Sequence, residues 1–129
     1  MRKIFYTVAI AVCSLMAMGF TVKDGNISYE GKTAVVNTTK IGANIEGYAG
    51  PTPVKIYISK GKIQKIETLK NSETPEFFEE AKAVLAKFIG ADIKKVSNKK
   101  VDAVSGATFS SEALIKNVKA GVEYYNKKK

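Results

Sequence analysis

Asp102-Ala103-Val104-Ser105-Gly106-Ala107-Thr108-Phe109-Ser110-Ser111 runs directly into a segment in which Leu114, Ile115, Val118, Val122 and Tyr125 recur at helical spacing. The stretch therefore reads as a tight turn that empties into a helix N-terminus. Gly106 suits the turn because glycine visits positive φ without strain, and the hydroxyls of Ser105, Thr108, Ser110 and Ser111 crowd around it. The first N–H groups of a helix lack intrahelical partners and carry the positive end of its macrodipole, so this entry favours an anion. Ser110 and Ser111 have an ordinary reading beside this one, as helix N-caps.

Working outward, Val54, Ile56 and Ile58 alternate with Lys55, Tyr57 and Ser59 at the period of a half-buried strand. Lys60-Gly61 makes a short turn and residues 62–69 return as a second strand, giving an antiparallel hairpin. Thr74 and Pro75 fit the N-cap and first position of a helix whose stripe is Phe77, Phe78, Ala81, Val84, Leu85, Phe88 and Ile89, ended by Gly90. An aromatic stripe at that spacing is assigned to the core. Upstream, residues 33–39 suit a strand, residues 23–32 read as a linker or turn, and residues 41–53 are too rich in glycine and proline for a regular element. A bulged strand and turn explain that last segment, as does close approach of another group to its backbone. The expected architecture is a small α+β domain, an antiparallel or mixed sheet with two packed helices.

Arg2 and Lys3, the apolar run Ile4–Met18 and the Ala17-Met18-Gly19 pattern mark residues 1–19 as a secretory signal peptide, with cleavage after Gly19, or as an N-terminal membrane anchor. Residues 20–40 are then linker and first strand, and residues 41–129 the domain proper. Either reading of the leader places the domain outside the cytoplasm, periplasmic or at the cell surface. A lipid anchor on Cys13 is disfavoured by Val12 before it. With the only cysteine in the leader and no histidine, the usual zinc, copper and iron–sulfur ligand sets are missing, as are Ser-His-Asp and Cys-His catalytic groups. The chain has 21 basic and 12 acidic residues, and loss of Arg2 and Lys3 leaves a net charge of +7. The lysines are scattered apart from residues 94–100 and 127–129, which argues for a solvated surface, or one that attracts anionic lipid or an acidic redox partner, over nucleic acid.

The string Asp102-Ala103-Val104-Ser105-Gly106-Ala107-Thr108 resembles the flavinylation motif of the FMN-binding domain family, Asp-x-x-Ser/Thr-Gly-Ala-Thr, at every fixed position. The family includes the covalent-FMN subunits of sodium-pumping NADH:quinone oxidoreductase and of ferredoxin:NAD oxidoreductase, and many small extracytoplasmic domains. The resemblance covers roughly residues 41–125. It implies that a flavin transferase, using FAD and a divalent metal, moves FMN onto Thr108 as a phosphoester. Ser105, Gly106 and Ala107 would shape the loop. Asp102 would be an acidic recognition residue, binding the transferase's metal or capping the turn. Tyr48, in a Gly-aromatic-x-Gly-Pro segment, would contact the flavin ring, and Glu73 and Thr74 match a Glu-Thr-Pro loop facing it, although a capping role explains those two equally well.

The resemblance therefore implies an electron carrier with covalent FMN, itself the substrate of a transferase, serving an unidentified redox partner, a membrane-bound one included. Two other classes stand beside it. One is a flavin-free basic binding or structural module at the cell surface, with Ser-Gly-Ala-Thr as a plain helix entry. The other is a flavin reductase, disfavoured because no G-x-G-x-x-G or P-loop string occurs.

Overall fold

The computed structural model describes residues 20–22 and 25–128. The leader expected at residues 1–19 lies outside the described residues.

The chain forms a five-stranded sheet: β1 (Phe20–Val22), β2 (Ile27–Glu30), β3 (Thr33–Asn37), β4 (Val54–Ser59), in which buried and half-buried side chains alternate, and β5 (Lys62–Thr68). The order follows the chain and every pair is antiparallel, which resolves the antiparallel-or-mixed expectation. The β4–β5 hairpin sits where the period-two pattern puts it, and Lys60 and Gly61 both take positive φ, at 55° and 74°. Residues 27–30, expected in a linker or turn, instead form β2, which pairs Ile27 with Val36 and Glu30 with Thr33. Only Ile27 is buried in that strand, so its sequence carries little hydrophobic signal.

The helix expected after Pro75 is divided at Lys82 into α1 (Pro75–Ala81) and α2 (Ala83–Ala86). Beyond the break, hydrogen bonds run at three-residue spacing, Leu85 N–H to Lys82 and Lys87 N–H to Val84. A short 3₁₀ turn at Val96–Asn98 follows, and then the long α3 (Thr108–Lys128).

Leu114, Val118 and Val122 of α3 meet Val36, Val54, Ile56 and Ile58 of the sheet, while Phe78, Ala81, Val84, Leu85 and Phe88 close the core beside them. Burial of each large side chain contributes about 1.5–3 kcal/mol. At Gly121 the helix comes close to the sheet, where an added Cβ would meet Ile56 Cδ1 at 2.7 Å and Thr38 Cγ2 at 2.8 Å. Buried Asn117 adds a polar tie, its Nδ2 donating to Thr52 Oγ1 at 3.2 Å and to the Ala113 carbonyl at 2.9 Å. These contacts fix the middle of α3 against the sheet and against Thr52. Phe77, assigned to the core by helical spacing, is 49% exposed, and Ile89 beside the stripe is 47% exposed.

On the sheet's outer face, the Glu67 carboxylate beside the Tyr57 phenol favours its protonated form and pushes its pKa up to about 12. The folded chain thus keeps this proton where the unfolded chain, near 10, loses it. The associated stability is complete below pH 10 and disappears as the pH rises towards about 12. In a spectrophotometric titration of the folded protein, the latest phenolate signal is absent from Tyr57→Phe.

Candidate functional site

Residues 101–107 lead into α3 through a turn in which Gly106 takes φ +87°, as its sequence context predicts. Ala107 is buried, its N–H bonded to the Val104 carbonyl at 2.9 Å, and Thr108 is the first residue of the helix. Ser111 N–H reaches back to the Ala107 carbonyl at 2.9 Å, whereas the amides of Thr108, Phe109 and Ser110 make no backbone hydrogen bond among the described residues. These are the orphan donors of a helix start.

Ser110 and Ser111 are not N-caps, contrary to their ordinary reading, because both lie inside the helix and are buried. The Ser111 hydroxyl accepts from Val104 N–H at 2.9 Å and donates to the Ala107 carbonyl at 2.7 Å, which pins the turn to the first helical turn. The Ser110 hydroxyl points the other way and donates to Glu73 Oε1 at 2.6 Å.

A cavity of about 520 Å³ opens beside this helix start, lined by Tyr48, Thr74, Phe77, Gly106, Ala107, Thr108, Phe109 and Ser110. Tyr48 and Phe109, 75% and 64% exposed, face each other with ring centroids 6.3 Å apart and planes inclined by 42°. Three large aromatic side chains left in water around one cavity mark a surface that expects a partner. The Thr108 hydroxyl makes no hydrogen bond to the protein among the described residues, and the residue is exposed.

Behind the cavity lies Glu73, 6% exposed. Its Oε1 accepts from Tyr48 N–H at 2.7 Å as well as from Ser110, and its Oε2 accepts from Ala49 N–H. The carboxylate thus fastens the 47–50 turn, closed by Gly47 N–H to the Gly50 carbonyl at 2.8 Å, to the third residue of α3. It passes so close to Gly47 that an added Cβ would meet Oε1 at 2.1 Å, the approach to backbone that the glycine-rich segment hinted at. The helix start therefore already faces one anion, which its macrodipole favours.

Of the residues predicted from sequence, Tyr48, Thr74, Gly106, Ala107 and Thr108 come together at the cavity. Glu73 does not line it, and its carboxylate binds backbone and Ser110 instead. Neither Glu73 nor Thr74 caps a helix with its side chain: Thr74 occupies the N-cap position of α1 without a capping hydrogen bond. Ser105 is exposed on the turn, outside the lining. Asp102 is exposed in a different cavity, and its carboxylate caps nothing among the described residues.

Phe77, Phe109 and Ser110 are lining residues that the sequence reading missed as such. Phe77 lies one turn before buried Ala81 and so shares the helical phase of the core stripe. Phe109 carries a usable signal, because it lies off the Leu114–Val118–Val122 face and directly follows the motif threonine.

The family model described as FMN-binding domain matches residues 47–123, a span that contains every residue of this cavity. No curated protein and no solved structure matched the chain. With more than half of the sequence matched, and the match centred on the turn, the loops and the helix just described, the chain belongs to the FMN-binding domain family.

Proposed function

We propose that this domain carries FMN covalently, as a phosphoester on the Thr108 hydroxyl, and works as an electron-transfer module outside the cytoplasm. The observation that carries the reading is the placement of Thr108. It begins α3, exposed at an aromatic-walled cavity, with its hydroxyl free of protein partners among the described residues and three unpaired amides at the same helix end.

The residues fit the cofactor. A cavity of about 520 Å³ lies within the range of small-molecule sites, and apolar walls with a few polar groups are their usual make-up. Tyr48, Phe77 and Phe109 supply flat apolar surface for a ring, and the α3 amides supply donors for a phosphate. FMN, once held there, supplies reversible electron transfer. The chain's own residues bind and orient it. Gly106 and Ala107 bring backbone close, Ser111 holds their turn, and Glu73 keeps the Tyr48 turn against the helix.

In the attachment step, the Thr108 hydroxyl oxygen forms a bond to the flavin-side phosphorus of FAD bound to a flavin transferase. The pyrophosphate P–O bond breaks, AMP leaves, and the hydroxyl proton passes to the transferase. The domain is the substrate of this reaction. A covalent link suits an exported protein, for which nanomolar retention of free cofactor would require about −12 kcal/mol. Exposed aromatic rings at the cavity also keep it accessible to a redox partner.

The test is to coexpress the full chain with a flavin transferase, denature it, and read intact mass and in-gel fluorescence. An FMN-sized increment that survives denaturation and maps to Thr108 is expected. An unmodified mass overturns the proposal in favour of a flavin-free module or a noncovalent site.

A further inference from the structure

We propose that a second cavity, of about 300 Å³ and containing Asp102, docks an acidic segment of a partner protein that inserts an apolar side chain. The inference is independent of the flavin. Its floor is apolar, from Val84, Val101 and Val104, and Lys87, Lys99 and Lys100 flank it.

These lysines come from two separate parts of the fold: Lys87 from the end of α2, Lys99 and Lys100 from the chain leaving the 3₁₀ turn. Their convergence on one cavity is more than a charged run lying on a surface. Among the described residues none of the three makes an ion pair, whereas Lys65, Lys82 and Lys127 each have a glutamate partner. Asp102 is the only carboxylate in the lining, one against three ammonium groups. Such an excess attracts anions, and the apolar floor asks for a hydrophobic group between them.

A protein segment matches this chemistry better than a lipid surface, because a bilayer presents a plane of headgroups to protruding residues. A cavity of this size takes a side chain that projects into it. Asp102 adds an acceptor for a backbone amide of the incoming segment. Docking here would also place the partner on the 101–111 segment that carries Thr108, since Val104 N–H is held by Ser111 Oγ.

The probe is an acetylated, amidated hexapeptide of glutamates interrupted by two leucines, titrated into the flavin-free, isotope-labelled full chain at low salt. Amide shifts concentrated at Val84, Lys87 and residues 99–104 are expected. Lys87→Glu/Lys99→Glu/Lys100→Glu weakens binding about tenfold or more, and the equally charged variant Lys32→Glu/Lys70→Glu/Lys116→Glu retains most of it. If the first triple variant does not fold, Lys87→Glu and Lys99→Glu alone carry the comparison. Equal losses in the two variants, scattered shifts, or no shifts overturn the proposal. So does a response at these residues to vesicles containing phosphatidylserine but not to the peptide, which would assign the face to lipid.

Discussion

The Thr108→Val variant, coexpressed with a flavin transferase, carries no flavin through denaturation, while the wild-type chain does. Valine keeps the branched shape of threonine and removes only the hydroxyl. At an exposed first helical position that exchange changes stability by no more than about 0.5 kcal/mol. Loss of the flavin then reports loss of the nucleophile and not of the fold. Thr108→Ser restores a hydroxyl at the same Cβ and recovers a fraction of the load, lowered by the extra rotamer freedom of serine. Unfolding midpoints of the three proteins, measured without flavin, provide the control and should coincide. Unchanged loading in Thr108→Val would move the attachment to another hydroxyl, with exposed Ser105 the first to examine. Ser110 and Ser111 are poor substitutes, because both hydroxyls are buried and engaged.

The parts of this protein that were legible in its sequence are those with one strong local signal. The β4–β5 hairpin combines a period-two pattern with a Lys60-Gly61 turn, and α3 combines a periodic apolar face with the Gly106 turn ahead of it. The element that was hidden, β2, is four residues long with Ser28, Tyr29 and Glu30 after a single buried Ile27, so its identity depends on pairing with β3 and not on its own pattern. Phe77 was hidden for the opposite reason: its spacing to buried Ala81 matches the core stripe, yet it sits in the first turn of a seven-residue helix, where it lines the cavity. At the site, the motif string brought Thr108 and its turn to notice. What the string does not contain is what lies behind it. The carboxylate of Glu73 is 37 residues from Ser110 in the chain and makes its decisive bonds to main-chain amides, which have no letter in a sequence.

Glu73→Ala is expected to have the largest structural effect of any single change at the site. The carboxylate meets three donors with both oxygens; the Ser110 bond is buried, and the two amide bonds are part-buried. Alanine leaves two amides and one hydroxyl without an acceptor, at about 1–3 kcal/mol for each group that water cannot reach. With one of the three groups buried, a loss of about 1–3 kcal/mol follows, a large share of the roughly 5–15 kcal/mol that holds a small domain together. Urea unfolding should show a lower midpoint with an unchanged slope, the mark of a weakened native state and not of an altered unfolded one. Glu73→Gln separates shape from acceptor count. Its carbonyl can serve Tyr48 and Ser110 in the place of Oε1, but its amide group then confronts the N–H of Ala49, donor against donor. The loss should therefore fall between wild type and alanine. Gly47→Ala attacks the same clamp from the other side, since the new Cβ would lie 2.1 Å from Oε1 and the neighbouring carboxyl carbon is 3.0 Å away. The carboxylate cannot withdraw without releasing the amides, so this one methyl group should destabilise the domain by about 1–3 kcal/mol. Combined with Glu73→Ala, which removes the obstacle, Gly47→Ala should add little, and that non-additivity distinguishes one clamp from two unrelated defects.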